Sequence, residues 1–179
     1  MNKNLFYLGD VCKPETYKKQ LLQDFQKNFS DISKIECNWV YILQVKDEKE
    51  NSRKKIFLSV KNLLSLFHND LFDDHLFFQE SQTNFLTVFP REGTKSSWAS
   101  KTSDILRSCG FKNIVNIERG IFYKFYFSDS IPNAHTSFFE SSIERYSQIK
   151  RSFVSNLYDR MTEQAYINKL PANFFDYDP

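Results

Sequence analysis

With 179 residues, 41% of them hydrophobic, the chain has the material for one domain of ordinary size or two very small ones. Its 24 basic and 22 acidic residues leave a net charge of +2, without the basic excess of a dedicated nucleic-acid binder. Three cysteines, Cys12, Cys37 and Cys109, are odd in number and lack CxxC spacing, which argues against a disulfide framework and fits a reducing cytosol. The opening MNKNLFYLGD has no apolar signal core, and no apolar run approaches the ~20 residues of a membrane helix. The expectation is a cytoplasmic protein with neither membrane nor nucleic-acid partners.

The first strand is predicted over Leu5 to Leu8, ended by Gly9. Pro14 then stands where a first helical turn tolerates it. Tyr17, Leu21, Leu22, Phe25 and Phe29 follow at helical spacing, with Lys18, Lys19 and Gln23 on the other side. From Ile35 the period changes to two. Ile35, Cys37, Trp39, Tyr41, Leu43 and Val45 alternate with mostly polar residues, as along a half-buried strand. After a charged loop, Ile56, Phe57, Val60, Leu63, Leu64 and Phe67 trace a second amphipathic helix.

The same order returns. Phe85 to Phe89 reads as a compact strand, and Trp98, Thr102, Ile105, Leu106 and Cys109 as a helix face with Gly110 placed as C-cap. Val115, Ile117, Ile121, Tyr123, Phe125 and Phe127 alternate along a long strand. Phe139, Ile143, Tyr146 and Ile149 mark a last helix, and Phe153 to Met161 reads as a closing strand. Each half alone buries little, so the halves are expected to share one sheet or pack tightly. The fold class is α+β, a mainly antiparallel sheet with helices on one face and a tandem β-α-β-α pseudo-repeat.

One stretch is unlike filler: Pro90-Arg91-Glu92-Gly93-Thr94-Lys95-Ser96-Ser97-Trp98-Ala99-Ser100-Lys101-Thr102-Ser103-Asp104. It joins a strand to a helix and packs hydroxyls, a glycine and cations into the turn. Such a helix N-terminus suits an anion, because free N–H groups, hydroxyls and positive charge converge there. It equally suits an N-capped helix with Ser96 or Ser97 as the cap.

The segment resembles the signature P-R-x-G-T-x-S-P-W-S-S-K-x-x-D-I of the large single-chain phosphoribosylformylglycinamidine synthases. Pro90, Arg91, Gly93, Thr94, Ser96, Trp98, Ser100, Lys101, Asp104 and Ile105 match it. Ile117-Glu118-Arg119-Gly120 is similar to the family's L-E-R-G, and the stretch from Leu157 to Glu163 to its L-x-D-R-M-T-E. Ser97 departs from the family's Pro, and Ala99 from its Ser.

The resemblance implies an amino-terminal domain, residues 1–165, that looks like two copies of the small accessory subunit of the split enzyme. Residues 166–179 resemble the entry to the linker that leads to the synthase core. The parent reaction is part of purine biosynthesis. ATP activates the amide oxygen of formylglycinamide ribonucleotide, and ammonia from glutamine displaces it to give the amidine. That chemistry needs a Cys nucleophile with a positioned His, carboxylates for Mg²⁺ and a phosphate cradle. No cysteine here fits the first role and no glycine-rich phosphate loop is present. The chain is therefore expected to hold no catalytic residue and no cofactor of its own, ATP and Mg being the parent's. Its partners are the synthase core and glutaminase domain of the same enzyme.

Contact candidates implied by the motifs are Arg91, Thr94, Ser96, Lys101, Glu118, Arg119 and Arg160. Each has a local alternative. Lys101 and Asp104 stand three apart on a helix, the spacing of a pair. Arg119 falls on the apolar face of its strand unless a bulge at Gly120 turns it out, where Glu118 or Asp159 would pair with it. Trp98 reads as a core anchor, and Asp159 and Glu163 as solvated strand ends. His68, Asp70, Asp73, Asp74 and His75 offer zinc-type ligands at a spacing that matches no established site, so no metal is expected. One rival reading is a freestanding accessory subunit acting in trans on a separate synthase. The other is a single-stranded RNA binder, which would expose aromatics on a basic sheet face. Here the aromatics alternate with polar residues as core positions do.

Overall fold

In a computed structural model, the structure describes residues 2–27, 32–46, 58–60, 62, 85–127, 156–171 and 173–175. Its elements are β1 (Asn2–Val11), α1 (Glu15–Gln26), β2 (Ile32–Lys46), β3 (Phe85–Pro90), α2 (Ser97–Ser108), β4 (Ile114–Phe127) and β5 (Glu163–Ile167). The strands form one sheet in the order β1-β2-β4-β3-β5, every neighbouring pair antiparallel. The α+β class and the antiparallel sheet are as expected.

The period-two run of β2 sets the two faces. Its odd residues Ile35, Cys37, Tyr41, Leu43 and Val45 are all buried toward the helices. Leu21 and Phe25 of α1 cover one end of this face, where the Phe25 and Phe125 rings lie 5.4 Å apart. Leu106 and Trp98 of α2 cover the other end, with Tyr41, Ile117 and Val60. The opposite face buries Val40, Ile42, Phe85, Phe89, Phe122 and Tyr166. Phe174 packs into it, 1% exposed, with its ring 5.3 Å from Phe89. Full burial of one such side chain is worth about 1.5–3 kcal/mol, so Phe174 ties the carboxy-terminal segment firmly to the sheet.

Several expectations shift. β1 runs from Asn2 to Val11, because its backbone pairs with β2 well beyond the apolar Leu5 to Leu8. Residues 156–162 form turns, and the closing strand is β5, which lies after Met161. Tyr166 and Ile167, within the expected linker entry, belong to that strand. Asn168 fastens its end: its side-chain oxygen accepts from the Phe85 amide at 3.0 Å, and its own amide donates to the Phe85 carbonyl at 2.9 Å. Residues 58–60 and 62 of the expected second helix are helical. The rest of that helix, the helix expected around residues 139–149 and the cluster from His68 to His75 lie outside the described residues.

Candidate functional site

β3 ends at Pro90, and the chain must cross to α2 in six residues. Gly93, at φ +81, makes the turn in a conformation that side chains disfavour. The Thr94 amide and hydroxyl both donate to the Arg91 carbonyl, at 3.0 and 2.5 Å. Ser96 then caps α2: its backbone is extended, at φ −68 and ψ 156, and its hydroxyl oxygen accepts from the Ala99 amide at 3.0 Å. At the other end Gly110, at φ +87, follows the C-cap Cys109.

The anion that meets this helix N-terminus comes from the chain itself. Glu118, 1% exposed, accepts the Ser96 hydroxyl at 2.7 Å, the Ser96 amide at 3.0 Å and the Arg119 amide at 3.0 Å. A buried carboxylate needs such donors, and a helix start supplies them. The N-capped reading therefore holds, with Ser96 as the cap, and the anion beside this helix start is the chain's own Glu118.

Arg119 points to the helix face. β2 and β4 pair in unbroken register from Trp39↔Ile121 to Ile42↔Glu118, so there is no bulge at Gly120 to turn it out. Its guanidinium lies 4.4 Å from the centre of the Trp39 ring and 4.8 Å from that of Trp98. Delocalised and weakly hydrated, a guanidinium is the cation that tolerates such stacking. Trp98 is half-buried and 5.7 Å from Tyr41, a core anchor as expected. Gly120 serves close approach: a Cβ there would stand 2.2 Å from the Val88 carbonyl oxygen and 2.8 Å from the Phe89 ring.

The motif that ends at Glu163 is a self-locked turn. The Asp159 carboxylate accepts from the Met161 amide at 2.9 Å and the Thr162 hydroxyl at 3.0 Å. Glu163 returns the favour by accepting the Asp159 amide at 2.8 Å. Asp159 and Glu163 therefore hold a turn; Glu163 is also the first residue of β5, the strand end expected of it, whereas Asp159 lies in the turn before that strand. The Arg91 amide donates to the Thr162 carbonyl at 3.1 Å, joining this turn to the β3–α2 loop. The Tyr166 hydroxyl donates to Glu92 at 2.6 Å; burial first, and then this carboxylate, push its phenol up.

Between the two segments lies an open cleft of about 500 Å³. Residues 90, 91 and 94–97 form one wall, and residues 161–163 the other. Of the sequence-derived candidates, Arg91, Thr94 and Ser96 line it. Glu118 lies buried behind Ser96, and Arg119 is engaged by the indoles. Arg160 is exposed in the Asp159 turn, outside the cleft lining. Lys101 is exposed on α2, also outside it, and forms no ion pair among the described residues; Asp104 faces Arg107 instead, at 4.0 Å. Lys95 and Met161 were not singled out in the sequence, although Met161 is 79% exposed. The signal available for Met161 is its place in the motif from Leu157 to Glu163. Among the described residues no group of His, Cys, Asp and Glu could hold a metal, and no helix is long and apolar enough to cross a membrane.

Residues 38–173, which include both walls of the cleft, match the family model described as "Formylglycinamide ribonucleotide amidotransferase N-terminal". The chain belongs to this family. It is also 31% identical over 159 residues to the phosphoribosylformylglycinamidine synthase of Schizosaccharomyces pombe, a match covering 89% of this chain. The chain spans about a tenth of that relative's length, 10%.

Within this amidotransferase N-terminal family, the two departures from the expected motif now have positions. Ser97 is the first residue of α2, where proline is well suited. Ala99 is fully buried, and its amide rather than its side chain completes the cap.

Proposed function

We propose that this chain is the amino-terminal structural domain of a glutamine- and ATP-dependent amidine-forming ligase of purine biosynthesis. It packs on the synthase core of the same enzyme and has no catalytic activity alone. The observation that carries this reading is the convergence of two sequence-distant family motifs on one open cleft, joined by the hydrogen bond from Arg91 to Thr162. Arg91 and Thr94 are the contact residues at the cleft, and Lys101 and Arg160, exposed outside its lining, are further contact residues; Ser96, Glu118 and Arg119 hold the loop beside it.

The partners in this reading are the synthase core and the glutaminase domain, in the cytoplasm. ATP and Mg belong to the core. Residues 1–165 are the accessory domain, with 166–179 leading to the linker. The succession β1-α1-β2 and β3-α2-β4 supports a tandem repeat akin to two small accessory subunits. The same surface would serve a freestanding subunit acting in trans.

A chimera tests the proposal: this chain replaces the matching region of the S. pombe synthase, and amidine formation is assayed. Activity in the chimera, with none in the enzyme lacking that region, is expected. A chimera as inactive as the deletion overturns it, as does ATP turnover or glutamine hydrolysis by the purified chain.

A further inference from the structure

The cleft differs from a phosphate cradle in one respect. The amide and hydroxyl of Ser96 are already engaged by Glu118, so the capping residue has neither left to offer a phosphate at this helix start. Long side chains are left at the rim: Arg91 and Lys95, both exposed, and Met161, 79% exposed. Neither cation forms an ion pair among the described residues. The acidic lining residue, Glu163, accepts from the Asp159 amide and leaves the rim net positive. The frame beneath is fixed by the bonds of Thr94 to Arg91, Arg91 to Thr162 and Ser96 to Glu118. The loop backbone therefore needs little ordering on binding, and the cost falls on the rim side chains.

Arginine pairs with carboxylates through a fork of parallel hydrogen bonds, and arginine and methionine are both enriched in protein interfaces. We infer that the cleft takes an acidic segment of the synthase core, with a carboxylate between Arg91 and Lys95 and an apolar side chain seated on Met161. The inference rests on the packing reading above. The matched region makes up 10% of the S. pombe relative, so most of such an enzyme is available to supply the segment.

Calorimetric titration of this chain against the S. pombe synthase lacking its matching region tests the inference. Binding is expected to weaken as salt rises from about 50 to about 300 mM, as screening of exposed charges requires. The double variant Arg91→Glu, Lys95→Glu is expected to lose about tenfold or more in affinity, and Met161→Ala several-fold. Lys19→Glu, an equally exposed reversal on α1, is expected to change nothing. All four substitutions alter exposed side chains, and circular dichroism melts verify folding. Binding indifferent to the double reversal overturns the inference, as does a saturable phosphate signal that Arg91→Glu abolishes. Absence of binding by the unaltered chain also overturns it, while the activity of the chimera still decides the packing reading.

Discussion

The Glu118 carboxylate holds both the amide and the hydroxyl of Ser96, at 3.0 and 2.7 Å, and so fastens the start of α2 to the middle of the sheet. The two residues are 22 positions apart in the chain. Ser96→Ala removes the cap and one donor to a buried charge. A lost cap costs about 1 kcal/mol, and an under-satisfied buried group about 1–3 more. The variant is expected to lose about 2–4 kcal/mol in urea unfolding, and Glu118→Gln, added to it, to cost less than additively.

Ser97→Pro should stabilise the domain. Ser97 is the first residue of α2, where the amide has no helical acceptor. The preceding Ser96, at ψ 156, already has the extended backbone that a following proline demands. The gain is expected at about 0.4–1 kcal/mol, mostly by restricting the unfolded chain, or about 1–4 °C in Tm. A lower Tm would mean that the β3–α2 loop needs freedom at that bond.

Acid should unfold the domain partly through Glu36. Partial burial pushes its carboxyl up, but the Lys34 ammonium at 2.5 Å and the Tyr126 hydroxyl at 2.7 Å outweigh burial and hold it below the ordinary value. A group depressed on folding contributes stability in full above its unfolded value, and loses it as pH falls through the folded value. Glu36→Gln is expected to be less stable than the unaltered chain at about pH 7, with the gap closing toward about pH 3. A gap that persists at the acid end would assign the loss to packing instead.

The three thiols should separate by rate. Burial pushes Cys12 up to about 11 and Cys37 up to about 12, so little of either is thiolate at neutral pH. Cys109 is exposed beyond the end of α2. Labelling of the native chain with a thiol-reactive chromophore is expected to modify Cys109 first, and the other two only as the fold opens. Equal rates for all three would contradict the burial of Cys37.

Much of this fold is written locally. The alternation from Ile35 to Val45 sets the central strand, and Ser96 and Gly110 mark the ends of α2 by their backbone chemistry. β5 was missed because Glu-Gln-Ala-Tyr-Ile has little apolar contrast and becomes a strand only by pairing with β3. The role of Glu118 was hidden for a related reason. A glutamate beside an arginine reads as surface, and its burial depends on a loop that the register of β3 and β4 brings alongside. The cleft itself joins segments about seventy residues apart, a distance that no local pattern spans.

Arg119 has an optical consequence. The chain contains two tryptophans, and both indoles lie against this one guanidinium. Tryptophan emission from the whole chain is thus a single-site reporter, stationed where β2, β4 and the first turn of α2 meet. Trp98 adjoins Ser97 on the wall of the cleft, so an occupant there would alter the colour or quenching of that emission before anything melts.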